Sequence, residues 1–297
     1  MSDNTNSKQM RIVDGHTRVC GLIGNPVEHT SSPAIHNTLA GICGHNLVYV
    51  PMKVERGQVV TAIKGAYELD IRGLNVTVPH KLEVMDALVA IDDLAAQIGA
   101  VNTLVRVPSG YKGYNTDILG LERALLSEGM DLNGRVVVLL GAGGAARAAA
   151  FLCARMNASK AYILNRSVDK AESLAADVNS FAGRDFMHAL ALDKYMDIPE
   201  DNLVVLQATS IGLSPNIDDA PIDDKAFYAK VDLGFDLIYR PAETKFMKLV
   251  NEMGGKSANG LKMLLYQAII AYELWNEVSI SDEQAMEVLA VLEETVR

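Results

Sequence analysis

Apolar residues along this chain switch repeatedly between the short runs of strands and the three-to-four spacing of helices. That alternation predicts an α/β fold with largely parallel sheets. Residues 18–23 read as a strand, 32–40 as a helix, 47–52 as a strand and 59–67 as a helix. At 76–78 Val76 and Val78 alternate with Thr77 and run into Pro79, which predicts a short terminated strand. From Lys81 the residues Leu82, Val84, Met85, Leu88 and Val89 recur at helical spacing, so Lys81 is expected to open a helix. A strand at 103–106 closes this first series. A second begins at 135–140 and continues through apolar segments at 161–164, 203–207 and 231–237. Helices are expected at 261–275 and 282–296. Two such series predict two domains that meet near 117–121.

The fresh start at 136–140 is the most informative turn in the pattern. Val136 to Leu140 are uniformly apolar, as in a strand buried on both faces. They lead directly into Gly141, Ala142, Gly143, Gly144, Ala145 and Ala146 and an alanine-rich helix to about Met156. Strand, glycine turn and helix together make G-x-G-x-x-A a dinucleotide fingerprint, because glycines admit a pyrophosphate to the helix N-terminus. At the end of the following strand an NAD site carries a carboxylate for the ribose 2′-hydroxyl. Here Asn165, Arg166 and Ser167 stand there instead, with Lys170 one helical step later. Cations and a hydroxyl suit a 2′-phosphate, so NADP is the expected cofactor and NAD the weaker alternative. Asp169, between the cations, works against that choice.

Composition narrows the partners. The chain has 297 residues, 49% of them hydrophobic and 22% charged, which describes a soluble globular protein. A net charge of -10 argues against nucleic acid and anionic membranes, so an anionic ligand must be held by local donors. Cys20, Cys43 and Cys153 are widely spaced, and no histidine pair has metal-ligand spacing. No metal site is expected, and the setting is a reducing cytoplasm. No apolar run reaches transmembrane length, and the polar residues 1–10 read as a frayed tail rather than a signal peptide.

Three further places carry candidate chemistry. A helix start disfavours the lysine ammonium, so Lys81 at such a position suits a proton-exchanging group; a solvated surface lysine is the plain alternative. Ser32 before Pro33 reads as a helix cap, yet the hydroxyls of Thr30, Ser31 and Ser32 beside free amides can also receive a carboxylate. Asp117 precedes a helix at 118–128, where it serves as a cap or as something more. Asn102 and Thr103 fit a simple turn equally well.

Seven segments in order (24–37, 75–81, 99–103, 114–117, 141–146, 165–167 and 259–268) resemble the shikimate dehydrogenase family, from about Thr17 to the C-terminus. The resemblance implies reversible reduction of 3-dehydroshikimate to shikimate with NADPH, on the route through chorismate to aromatic amino acids. Lys81 matches the family's catalytic lysine and Asp117 its partner. Thr30, Ser32 and Tyr239 match the groups that hold the substrate carboxylate. Asn75, Thr77, Asn102 and Gln267 match those that bind ring hydroxyls, and Thr209, Leu237 and Gly260 line the nicotinamide side. The resemblance also implies a discontinuous substrate domain, 11–117 with 260–297, around a Rossmann-type domain at 118–259. A homodimer is left open. Thr30, Ile118, Gln207 and Lys170 depart from the family's usual serine, glycine, asparagine and arginine. The alternatives are a quinate/shikimate dehydrogenase using NAD or both cofactors and, from another class, a non-catalytic metabolite sensor.

Overall fold

The computed structural model describes residues 13–296 and orders them around two six-stranded sheets. The expected tail at 1–10 and the first residues of the expected substrate domain, 11 and 12, lie outside the described residues. The first half contains β1 (Arg18–Gly24), α1 (Ser32–Ile42), β2 (Leu47–Lys53), α2 (Val59–Glu68), β3 (Gly73–Val76), β4 (Ala90–Ile91), α3 (Asp93–Ile98), β5 (Thr103–Val107), β6 (Gly110–Tyr114) and α4 (Thr116–Ser127). Its sheet runs β2-β1-β3-β5-β6-β4. β1, β2 and β3 pair in parallel, whereas β5 pairs antiparallel with both β3 and β6.

The second half contains β7 (Val136–Leu140), α5 (Gly144–Arg155), β8 (Lys160–Asn165), α6 (Val168–Ala182), β9 (Met187–Ala191), β10 (Leu203–Gln207), α7 (Lys225–Tyr228), β11 (Val231–Asp236), α8 (Lys245–Glu252), β12 (Lys256–Asn259), α9 (Leu261–Asn276) and α10 (Asp282–Val296). Its sheet is β12-β11-β10-β7-β8-β9, parallel throughout. β7 lies between β8 and β10, so the chain turns opposite ways on its two sides. Ligands of doubly wound sheets sit at the strand C-termini of such a switch point. The uniform apolar run is explained by burial on both faces. Val137 and Leu139 enter one core with α4, α5 and α9, while Val138 and Leu140 enter another with Phe227 and Phe246.

The last two helices leave the second sheet and return to the first. Trp275 of α9 donates its indole N–H to the Leu104 carbonyl at 2.9 Å. A Cβ at Gly73 would come within 2.2 Å of the same indole, so the β3 backbone accepts this ring only through glycine. α9 also packs along α4, and α10 packs on α1. No helix among the described residues is long and apolar enough to cross a membrane.

Two expected elements differ from the structure. β3 occupies Gly73–Val76 rather than 76–78: beyond Val76 the chain leaves the sheet, and Val78 is 62% exposed. Lys81 does not open a long helix. It stands in a turn, and the only helical geometry nearby is a 3-10 segment at Glu83–Ala87. The apolar spacing misled because it does not mark one buried face: Val84 is buried, while Leu82 and Val89 point outward. The helix-dipole argument for Lys81 therefore has no element to act through.

Candidate active site

Lys81 meets Asp117 across the fold, with Nζ donating to Oδ2 at 2.5 Å. The lysine's turn is tied down by its own carbonyl, which accepts the Val101 N–H at 3.1 Å. Asp117 comes from the first turn of α4, where a carboxylate is favoured by the helix dipole. It is not the cap. Asn115 fills that position, its side-chain oxygen accepting the Asp117 and Ile118 N–H groups at 3.1 and 3.3 Å. Asn115 caps better here because its extended backbone leaves the amide free to fold over the helix end. The two side chains of the pair are 33% and 20% exposed, so both reach solvent.

The pair forms one wall of a cavity of about 350 Å³ beyond the C-terminal ends of β1 and β3. Thr30, Ser32, Asn75, Thr77, Asn102, Leu237, Tyr239, Gly260 and Gln267 all line it. Every residue expected to bind substrate is thus brought together with the catalytic candidates. At one end the Thr30 hydroxyl donates to Ser32 Oγ at 3.1 Å and accepts the Ser32 N–H at 3.2 Å. Ser32 is not a cap: Ser31 takes that position without any side-chain cap bond, and Ser32 is the first residue of α1. Held by Thr30, the Ser32 hydroxyl stays at the cavity instead of folding over the helix end. Burial raises the Tyr239 phenol above its ordinary value, so it is a protonated donor at neutral pH.

At the other end two buried amides are built into the wall. Asn102 is no simple turn residue: its Oδ1 accepts the Thr116 backbone N–H at 2.7 Å, and the Thr103 hydroxyl donates to the same oxygen at 3.1 Å. Asn75 donates from Nδ2 to Thr103 Oγ1 at 3.0 Å and accepts the Tyr49 phenol O–H at 2.8 Å. Gln267 gives its Nε2 to the Leu264 carbonyl at 2.8 Å, which leaves its side-chain oxygen as an acceptor.

Next to the pair lie two hollows around the glycine turn. One, of about 220 Å³, is bounded by Gly141, Ala142, Gly143, Asn165, Arg166 and Thr209 at the C-terminal ends of β7, β8 and β10. The other, of about 630 Å³, is shared by Lys81 and Asp117 with Ala142, Gly143, Gly144, Asp169 and Lys170. Arg166 and Lys170 thus flank the turn from two sides and do not line one hollow. Ser167, Ala145 and both cations are exposed, whereas Ala146, in the first turn of α5, is buried. Gly141 has φ +108°, and a Cβ there would lie 3.0 Å from the Thr209 methyl. Gly143 and Gly144 face open space, and Gly143 caps α5 without a side-chain bond. Unobstructed first-turn amides beside a cation fit a dinucleotide pyrophosphate and its ribose phosphate.

Sequence reasoning did not foresee the structural roles of several residues. Tyr49, Thr103 and Thr116 hold the amides but sit in ordinary strand or helix-start contexts. Arg147 spans the two halves, donating to the Ile98 carbonyl and to Asp177. Gln207 is fully buried and shapes the Thr209 loop, its Oε1 accepting the Thr209 N–H at 2.6 Å and its Nε2 reaching the Ile211 carbonyl at 3.0 Å. The longer side chain can span that loop, which gives the departure at this position a structural use. Among the described residues no group of three or more His, Cys, Asp and Glu side chains is placed to hold a metal ion.

Residues 22–104 match the family model described as the shikimate dehydrogenase substrate binding domain. A shikimate dehydrogenase (NADP(+)) from Halothermothrix orenii is 38% identical over 89% of this chain and 93% of its own length. One of the same name from Desulforamulus reducens is 40% identical over 89% and 91%. The crystal structure of a shikimate dehydrogenase in complex with NADP+ superposes with a TM-score of 0.88 at 37% identity, covering 96% of this chain and 98% of that one.

Proposed function

The chain belongs to the shikimate dehydrogenase family, and we propose that it interconverts 3-dehydroshikimate and shikimate with NADP(H), on the route through chorismate to aromatic amino acids. The observation that carries this reading is the Lys81–Asp117 contact in one cavity with the hydroxyls of Thr30 and Ser32 and the amides of Asn75 and Asn102. Ketone reduction needs a hydride at carbon and a proton at oxygen. The bound dinucleotide supplies the hydride. Lys81 holds the proton and gives it to the developing alkoxide, whose charge the ammonium also stabilises. Asp117 orients Lys81 and accepts from a ring hydroxyl. Thr30, Ser32 and Tyr239 hold the carboxylate, and Asn75, Thr77, Asn102 and Gln267 hold the ring hydroxyls.

Gly141, Ala142, Gly143, Gly144, Ala145 and Ala146 would carry the pyrophosphate. Asn165, Arg166, Ser167 and Lys170 would carry the phosphorylated ribose, and Thr209, Leu237 and Gly260 the nicotinamide side. We take residues 11–117 together with 260–297 as the substrate domain and 118–259 as the cofactor domain. The attachment of Trp275 to Leu104 and Gly73 supports that division. Cytoplasmic residence is part of the proposal, supported by three free cysteines. A homodimer is tested by light scattering.

The direct experiment is cofactor reduction with shikimate and with quinate, each with NADP and with NAD. Shikimate with NADP should be the best pair. Preference for quinate with NAD would support the quinate/shikimate reading, and no turnover with any pair would support a sensor.

A further inference from the structure

The two substrate-side amides belong to one chain of hydrogen bonds whose direction is fixed at one end. A backbone N–H can only donate, so the Asn102 atom 2.7 Å from the Thr116 nitrogen must be its carbonyl oxygen. Thr103 Oγ1 lies 3.1 Å from that same oxygen and 3.1 Å from the Thr116 hydroxyl, which itself donates to the Asn102 oxygen at 3.2 Å. The Asn75 amide atom 3.0 Å from Thr103 Oγ1 also faces the Asn102 backbone carbonyl at 3.4 Å, and because a carbonyl can only accept, that atom is Nδ2. The other end of the Asn75 amide is then Oδ1, and it takes the Tyr49 O–H at 2.8 Å. The second Nδ2 hydrogen is held only weakly, by the Asn102 carbonyl at a long 3.4 Å. Asn75 therefore offers the cavity an N–H donor.

Tyr49 is built to hold its end of this chain. It is 1% exposed, and burial raises its phenol far above the ordinary range, so it stays a donor. Asn37 brackets its backbone, accepting the Tyr49 N–H at 2.9 Å and donating to its carbonyl at 3.0 Å. The His36 ring stacks on the phenol ring at 4.1 Å and 17°.

We propose that Tyr49 is a positioning residue for the reaction: its hydroxyl, acting through Asn75, fixes which end of that amide meets a ring hydroxyl of the substrate. Without the phenol O–H, the Asn75 oxygen loses its partner and the amide is free to turn it toward the cavity. A substrate hydroxyl oxygen would then face an acceptor in place of a donor. The inference rests on Asn75 binding a ring hydroxyl, as proposed above.

A double-mutant cycle tests it. Tyr49→Phe removes one oxygen and should raise the KM for shikimate about tenfold, with kcat within about twofold and the KM for NADP unchanged. In an Asn75→Ala background the same change should raise the shikimate KM no further. An unchanged KM in Tyr49→Phe, or effects that simply add in the double variant, would overturn the role of Tyr49. An unchanged KM in Asn75→Ala alone would instead overturn the ligand reading of Asn75. If Tyr49→Phe does not fold, Thr103→Val removes the acceptor at the other end of the amide and carries the same cycle. Thr103→Ser should then restore the KM, and failure to do so would count against the chain.

Discussion

Gly120 of α4 lies directly against the backbone of Gln267 in α9: a Cβ at Gly120 would come within 2.6 Å of the Gln267 nitrogen and 2.8 Å of its Cα. The contact joins the helix that carries Asp117 to the helix that carries Gln267, which lines the same cavity. Backbone cannot yield as a side-chain tip can. Gly120→Ala should therefore push α4 and α9 apart, destabilise the protein by about 1–3 kcal/mol and raise the shikimate KM. Denaturant unfolding and initial-rate kinetics check the two effects. Unchanged values of both would mean that the helices adjust freely.

Ser32 gives a sharper separation of roles than its sequence context allowed. Since Ser31 stands at the cap position and Ser32 Oγ is paired with Thr30, Ser32→Ala should leave the melting temperature nearly unchanged. The KM for shikimate should rise about tenfold, the usual cost of one hydrogen bond to a charged group. A fall in melting temperature with a normal KM would return Ser32 to a purely structural role.

These two cases show what the sequence could reveal. The strand at 136–140 and the glycine turn were readable because burial on both faces and close ligand approach restrict residue choice at each position. The candidate residues were readable through seven short motifs, and the fold brings their substrate-side members into one cavity. Lys81 was misplaced on a helix because Leu82 and Val89 carry helical spacing without facing a core. The supports of the site were hidden for a different reason. Tyr49, Thr103, Thr116 and Gly120 act on partners distant in sequence, and no local pattern records a hydrogen bond across separate strands.

On the proposed reading, cofactor choice depends on Arg166 and Lys170, which stand on opposite sides of the glycine turn. NADP should exceed NAD by at least about tenfold in kcat/KM, or about 1.4 kcal/mol. Arg166→Ala and Lys170→Ala together should erase most of that preference through the KM for NADP alone. Equal use of both cofactors by the unmodified protein would contradict the phosphate assignment.

Asp236, at the end of β11 just before the cavity residues Leu237 and Tyr239, carries a pH signature. Burial raises its carboxyl from 3.8 to about 6, against the Thr244 hydroxyl at 2.7 Å and the Ile238 N–H at 2.9 Å, which favour the charged form. Between pH 3.8 and about 6 the folded state binds more proton than the unfolded one, so this group's contribution is full at low pH and is lost as pH rises through 6. Asp236→Asn removes the charge. Relative to wild type, its unfolding free energy should improve by about 2 kcal/mol between pH 4 and pH 8. A difference that stays constant with pH would show that the carboxyl titrates normally.

The central claim is that Lys81, oriented by Asp117, moves the proton. The most direct measurement is turnover of Lys81→Ala with saturating shikimate and NADP, alongside calorimetric binding of shikimate to the same variant. The account predicts a fall in kcat of about two to four orders of magnitude with binding weakened far less. Turnover close to wild type in a correctly folded Lys81→Ala protein would contradict it.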